Sequence, residues 1–111
     1  MDRAPTVELV YDRDCPNVER ARSMIAAALH EVGAPQGWTE WDRADDKTPP
    51  DLRHYGSPTV LVDRQDIGRD NDGAPQANAD ACRLYVDDTG SLSRAPSARR
   101  IAAAIVAATQ R

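Results

Sequence analysis

Two cysteines, Cys15 and Cys82, are the chain's best candidate nucleophiles, and Cys15 has the more telling surroundings. It stands in YDRDCPNVER, residues 11–20, between an alternating apolar stretch and a helical one. A thiol reacts as its thiolate, and free cysteine titrates near pH ~8.5. The unpaired N–H groups and positive dipole end of a following helix favour that thiolate. Arg13 would add to this by folding over the sulfur, whereas Asp12 and Asp14 oppose it through like charge. A helix terminus contributes about 0.3–1 kcal/mol when exposed and up to ~2 when partly buried. One carboxylate at ~4–6 Å offsets much of that, so the expected activation is modest. The residue three places on is Val18, so C-x-x-C dithiol exchange is excluded at this motif. The competing role for Cys15 is that of a small apolar residue filling a strand–helix turn, common for buried free cysteines.

The remaining reactive side chains carry less chemistry. His30, in the helical stretch, and His54, ahead of YGSP, read as surface residues, with His54 the nearer to the thiol. Two cysteines and two histidines contain no C-x-x-C or H-x-x-x-H pair, so no zinc site is expected. RDNDG (69–73) resembles part of a calcium loop, but the register fails, with Gly68 where the first Asp belongs and Ala79 where the closing Glu belongs. No metal and no cofactor are expected.

The elements that must position Cys15 follow from hydrophobic periodicity. VELVY (7–11) alternates, with Val7, Leu9 and Tyr11 on one face of a strand. Val18, Ala21, Ile25, Ala28, Leu29 and Val32 recur at three- and four-residue steps, which predicts a helix over about 16–32. Pro16 suits its first turn, where a missing N–H is harmless, and Gly33 and Pro35 end it. GWTEWDR (37–43) reads as a second strand, with Trp38 and Trp41 packing the sheet edge. PDLRH (50–54) is a helical turn, and SPTVLVD (57–63) is an apolar strand covered on both faces. Residues 64–81 form a long polar loop, CRLYV (82–86) a fourth strand antiparallel to the third, and 97–109 a helix burying Ile101, Ala104, Ile105 and Ala108. Cys82, at the start of that strand, reads as a core cysteine. The alternative is a resolving or metal-binding partner delivered by the loop.

Bulk properties bound the class. A chain of 111 residues is one α/β domain spanning 1–111, with a central mixed sheet flanked by helices. Phe is absent, so Val, Ile, Leu and Ala must fill the core. Net charge is −4 and no basic cluster occurs, which argues against nucleic acid or an anionic membrane surface as partner. No apolar run is long enough to span a bilayer, and MDRAPTVELVYDRDC lacks the basic start and long apolar run of a leader. The expectation is a cytoplasmic protein, in which two cysteines do not form a standing disulfide.

Two stretches carry a resemblance to the thioredoxin-like superfamily. These are a strand, a turn and Cys-Pro at the head of a helix (VELVYDRDCPN), and a proline before a strand about forty residues later (GSPTVLVD). Together with CRLY, the CPN turn and GSPT are similar to motifs of a small bacterial family of single-domain thioredoxin-like proteins, some of them selenoproteins. The resemblance covers nearly the whole chain and implies a βαβ–ββα order. It further implies that Cys15 is the nucleophile and that Pro58 is a cis-proline packed against it. Ser57, Pro58 and Thr59 would dock the substrate, with Arg13, Pro16 and Tyr11 supporting and Tyr55 near the wall. With Val18 in place of a second cysteine, the site resembles that of a monothiol glutaredoxin or a one-cysteine peroxidase. The peroxidase motif P-x-x-x-T-x-x-C is absent.

The leading expectation is therefore a thiol-dependent oxidoreductase acting on a disulfide, or reducing peroxide, and resolved by an external thiol. Two rivals stand beside it. One is a non-catalytic binding module using the groove at Pro58, and the other is a soft-metal protein in which Cys15 and Cys82 capture a mercury-type ion as thiolates.

Overall fold

The computed structural model describes residues 5–68, 85–87 and 89–110. In chain order it contains β1 (Val7–Tyr11), α1 (Val18–Glu31), β2 (Thr39–Asp42), a 3₁₀ turn at Pro50–Leu52, β3 (Thr59–Val62), β4 (Gln65–Asp66), β5 (Tyr85–Val86), β6 (Leu92–Ser93) and α2 (Ala98–Thr109). Four strands make a mixed sheet in the order β2-β1-β3-β4, and β5 and β6 form a separate two-stranded sheet. β2 runs parallel to β1, with Leu9 opposite Glu40, as a strand–helix–strand crossover requires. β3 runs antiparallel to β1, with Leu9 opposite Val60, and β4 is antiparallel to β3.

Alternation in β1 sorts side chains onto two faces. Val7 and Leu9 join Val60 and Val62 beneath Val18, Ala21, Ile25 and Leu29 of α1 and Ile101 and Ile105 of α2. Both helices therefore cover the same face. On the opposite face Val10 and Leu61 pack with Leu52 of the 3₁₀ turn, Trp41 and Tyr55. The expected flanking by helices is thus one-sided, and the segment between β2 and β3 covers the second face. That face also holds Glu8, whose Oε2 accepts from Trp41 Nε1 at 2.8 Å and whose Oε1 lies 2.8 Å from Arg64 Nε.

The fourth strand of the sheet differs from expectation. It is Gln65–Asp66, inside the stretch read as loop, while Tyr85–Val86 pairs with Leu92–Ser93 instead of β3. The cause is a two-residue hairpin at Asp63 and Arg64, which both adopt left-handed backbone (φ 50° and 66°). Two-residue hairpins favour that conformation, but Asn-Gly or Asp-Gly ordinarily announces it, so Asp-Arg gave no signal. The turn is held from outside: Asp63 N–H donates to Thr6 O, Thr6 N–H donates to Asp63 Oδ1, each at 2.9 Å, and Arg64 reaches Glu8.

Helix boundaries shift slightly. α1 begins at Val18, with Asn17 as its cap, so Pro16 lies ahead of the helix rather than in its first turn. α2 is capped by Ser97, whose hydroxyl accepts from Arg100 N–H at 3.1 Å. In α2 Ala102 is buried with Ile101, Ile105 and Ala108, and Ala104 is only partly buried. Among the described residues no helix is long and apolar enough to cross a membrane.

Candidate functional site

The Cys15 turn is built around Asp12, and every polar group of that residue is engaged. Its carbonyl accepts Cys15 N–H at 2.9 Å, closing the turn. Its own N–H donates to Ser57 Oγ at 2.9 Å, which ties the turn to the loop before β3. Its carboxylate takes Arg43 Nη1 at 2.8 and 2.7 Å. Arg43 in turn donates from Nε to Arg53 O at 3.1 Å and from its main chain to Tyr11 O at 2.9 Å. The β1–α1 turn, the segment after β2 and the loop before β3 therefore meet at one residue.

Cys15 carries a free thiol and is half-buried, packed against the main core. It opens onto a shallow depression of about 360 Å³ lined also by Asp12, Arg13, Asp14, Pro16, Asp42 and Ala44. Arg13, which would favour the thiolate by folding over the sulfur, is committed elsewhere: its Nε and Nη2 reach Asp42 Oδ2 at 3.0 and 2.9 Å. Asp42 is buried and also accepts Ala44 N–H through Oδ1 at 2.9 Å. Two of the three carboxylates lining the depression are thus matched by arginines, and the third, Asp14, is exposed. Because α1 starts three residues beyond Cys15, the thiol sits outside the turn in which the helix dipole is strongest. Val18, at the position of a resolving cysteine, is a core residue of α1, 6% exposed.

The Ser57–Pro58–Thr59 loop is tied to this turn through Ser57, but it is buried and none of its three residues lines the depression. All three residues are under 2% exposed, and the Ser57–Pro58 peptide bond is cis. The Ser57 hydroxyl accepts from Asp12, and Thr59 Oγ1 donates to Gly56 O at 2.6 Å. Pro58 O accepts from the hydroxyl of Tyr85 at 2.5 Å, across 27 residues of sequence. These hydroxyls shape the loop and do not project into solvent.

The histidines and the other aromatic candidates lie as follows. His30 and His54 are exposed, and His54 stacks on Tyr55 with ring centroids 4.2 Å apart. Tyr55 packs on the second face of the sheet, in a cluster separate from the one that holds Cys15. Trp38, one residue before edge strand β2, and Trp41, within it, pack against the clusters on opposite faces of the sheet. Tyr11 supports Arg22, whose guanidinium carbon lies 5.5 Å from the ring centroid. Arg22 clasps Glu40 of β2 through two bonds of 2.9 Å, and Trp38 Nε1 adds a third to the same carboxylate at 2.9 Å. The Arg22 bonds hold the Glu40 carboxyl below its usual range and raise the guanidinium above its own. Cys82 and residues 69–81 lie outside the described residues.

Sequence reasoning missed Asp12 as a junction, weighing it only as a charge beside the thiol. It also missed Arg43 and Asp42, whose partners are 31 and 29 residues away, and the hydroxyl of Tyr85. The only available signal for Tyr85 was its place in CRLY. Among the described residues no group of three or more His, Cys, Asp or Glu is arranged to hold a metal ion. No family model, no curated protein and no solved structure matches the chain.

Proposed function

We propose that the chain is a thiol-dependent oxidoreductase of thioredoxin-like fold, with Cys15 as its single nucleophile. The observation that carries this reading is the meeting of the Cys15 turn with the loop before β3 at Asp12. The turn so held carries a free, half-buried thiol that opens onto a depression. The sheet order β2-β1-β3-β4, with β1 and β2 parallel and β3 reversed, supports the fold assignment and the resemblance of VELVYDRDCPN and GSPTVLVD to that superfamily.

In the proposed reaction the Cys15 thiolate attacks one sulfur of a substrate disulfide. A Cys15–substrate disulfide forms, the original S–S bond breaks, and the second sulfur leaves as a thiolate that takes a proton from water. An external thiol then attacks the sulfur of the substrate half, regenerates the Cys15 thiolate and departs disulfide-bonded to that half. A second equivalent of external thiol attacks this mixed disulfide at the first thiol's sulfur and releases the remaining half as a thiol, so the substrate disulfide is reduced while two external thiols are oxidised to their disulfide. Val18 explains why the second thiol comes from outside the α1 motif.

The test is reduction of hydroxyethyl disulfide by glutathione, for the wild type, Cys15→Ser and Cys82→Ser. Loss of turnover in Cys15→Ser with retention in Cys82→Ser is the expected pattern. Turnover that survives Cys15→Ser removes the proposal. A wild type inactive toward disulfides also removes it, and leaves the binding module as the better reading.

A further inference from the structure

We infer that Tyr85 is a positioning residue for the reaction proposed for Cys15, acting through the Pro58 carbonyl; the inference rests on that functional reading. Tyr85 is among the largest fully buried side chains, at 0% exposure, and belongs to the β5–β6 sheet rather than to the sheet that carries the site. Its hydroxyl donates to Pro58 O at 2.5 Å. Proline has no N–H, so the carbonyl is the one main-chain polar group through which Pro58 itself is hydrogen-bonded.

The path from Tyr85 to the thiol is short and continuous. Tyr85 holds Pro58; the preceding residue, Ser57, accepts Asp12 N–H at 2.9 Å; Asp12 O accepts Cys15 N–H at 2.9 Å. Each link is a hydrogen bond or one residue of backbone; the Tyr85–Pro58 bond is buried and the Asp12–Ser57 bond part-buried. Tyr85 therefore fixes, through Pro58, Ser57 and Asp12, the turn that presents Cys15 to a disulfide partner, without touching the sulfur. Exchange requires the attacking, central and leaving sulfurs to line up, and is sensitive to small displacement of the turn that presents the thiol. Alkylation by a small reagent imposes no such alignment on a bulky partner.

The experiment compares two rates at Cys15 in the full-length chain, each read by mass spectrometry of the Cys15 peptide. One uses a blocked hexapeptide whose cysteine carries a 2-thiopyridyl disulfide, and the other uses iodoacetamide. In Tyr85→Phe the peptide-disulfide rate is expected to fall about tenfold while the iodoacetamide rate stays within about twofold of wild type. Ser57→Ala cuts the same path without disturbing the packing of Tyr85, and shows the same split should Tyr85→Phe fail to fold. Unchanged rates, or two rates falling in parallel, overturn the inference and leave Tyr85 a structural residue only. A wild-type Cys15 that reacts with iodoacetamide but not with the peptide disulfide overturns the oxidoreductase reading itself, and this inference with it.

Discussion

Replacing Glu40 by Gln isolates the ionic part of the clasp that joins α1 to β2. Glu40 receives three hydrogen bonds of 2.9 Å, two from Arg22 and one from Trp38. An exposed ion pair contributes about 0.2–1 kcal/mol and a hydrogen bond to a charged group about 1.5–3. The Arg22 and Glu40 side chains are 33% and 28% exposed, so solvent screens the clasp only in part. Gln retains one acceptor oxygen and the side-chain length, and removes the charge. The expected loss is therefore about 1–2 kcal/mol near neutral pH, between those two limits. Its pH dependence has a definite sign. The folded carboxyl lies below its usual value of 4.5, chiefly because of the Arg22 bonds. Its contribution is thus fully present above about pH 4.5 and is lost as pH falls through the folded value. Urea denaturation of wild type and Glu40→Gln from about pH 7 to about pH 2.5 reads the difference directly, because other titrating groups cancel between the two proteins. The gap should close in acid. A gap of the same size at both ends would show that the substitution acts through packing or through the amide, and would refute the electrostatic account.

Two further outcomes follow from the core and the site. Ile25→Ala, at a position of 0% exposure between α1 and the sheet, should lower stability by about 2–5 kcal/mol in urea denaturation; a loss below about 1 would mean that the site collapses around the deletion. Ser57→Ala removes the acceptor of Asp12 N–H and should lower stability by about 1–2 kcal/mol, with faster hydrogen exchange at that amide. Unchanged exchange at Asp12 would show that another group takes the Ser57 position.

Much of the scaffold was legible in short-range patterns. VELVY alternates over the observed extent of β1, and the three- and four-residue steps from Val18 to Leu29 mark the buried stripe of α1. Both signals are strong because each reports the burial of one face along a single element. The β3–β4 hairpin was not legible, since Asp63 and Arg64 hold left-handed backbone only with help from Thr6 and Glu8, 57 and 56 residues distant. The pairing of Tyr85–Val86 with Leu92–Ser93 was missed for a related reason. A short strand carries no mark of which neighbour it joins.

By itself the sequence determined that Cys15 lies between a strand and a helix, that Val18 stands where a second thiol would be, and that the core is built from aliphatic stripes. Local periodicity and residue identity are enough for those statements. Only the tertiary structure decided that Arg13 reaches Asp42, that Asp12 joins the Cys15 turn to Ser57, and that Tyr85 holds Pro58. Partners 27 to 45 residues apart are chosen by how the sheet stacks its strand ends, and hydrogen-bonding groups on one strand carry no record of which distant group the fold will bring to them.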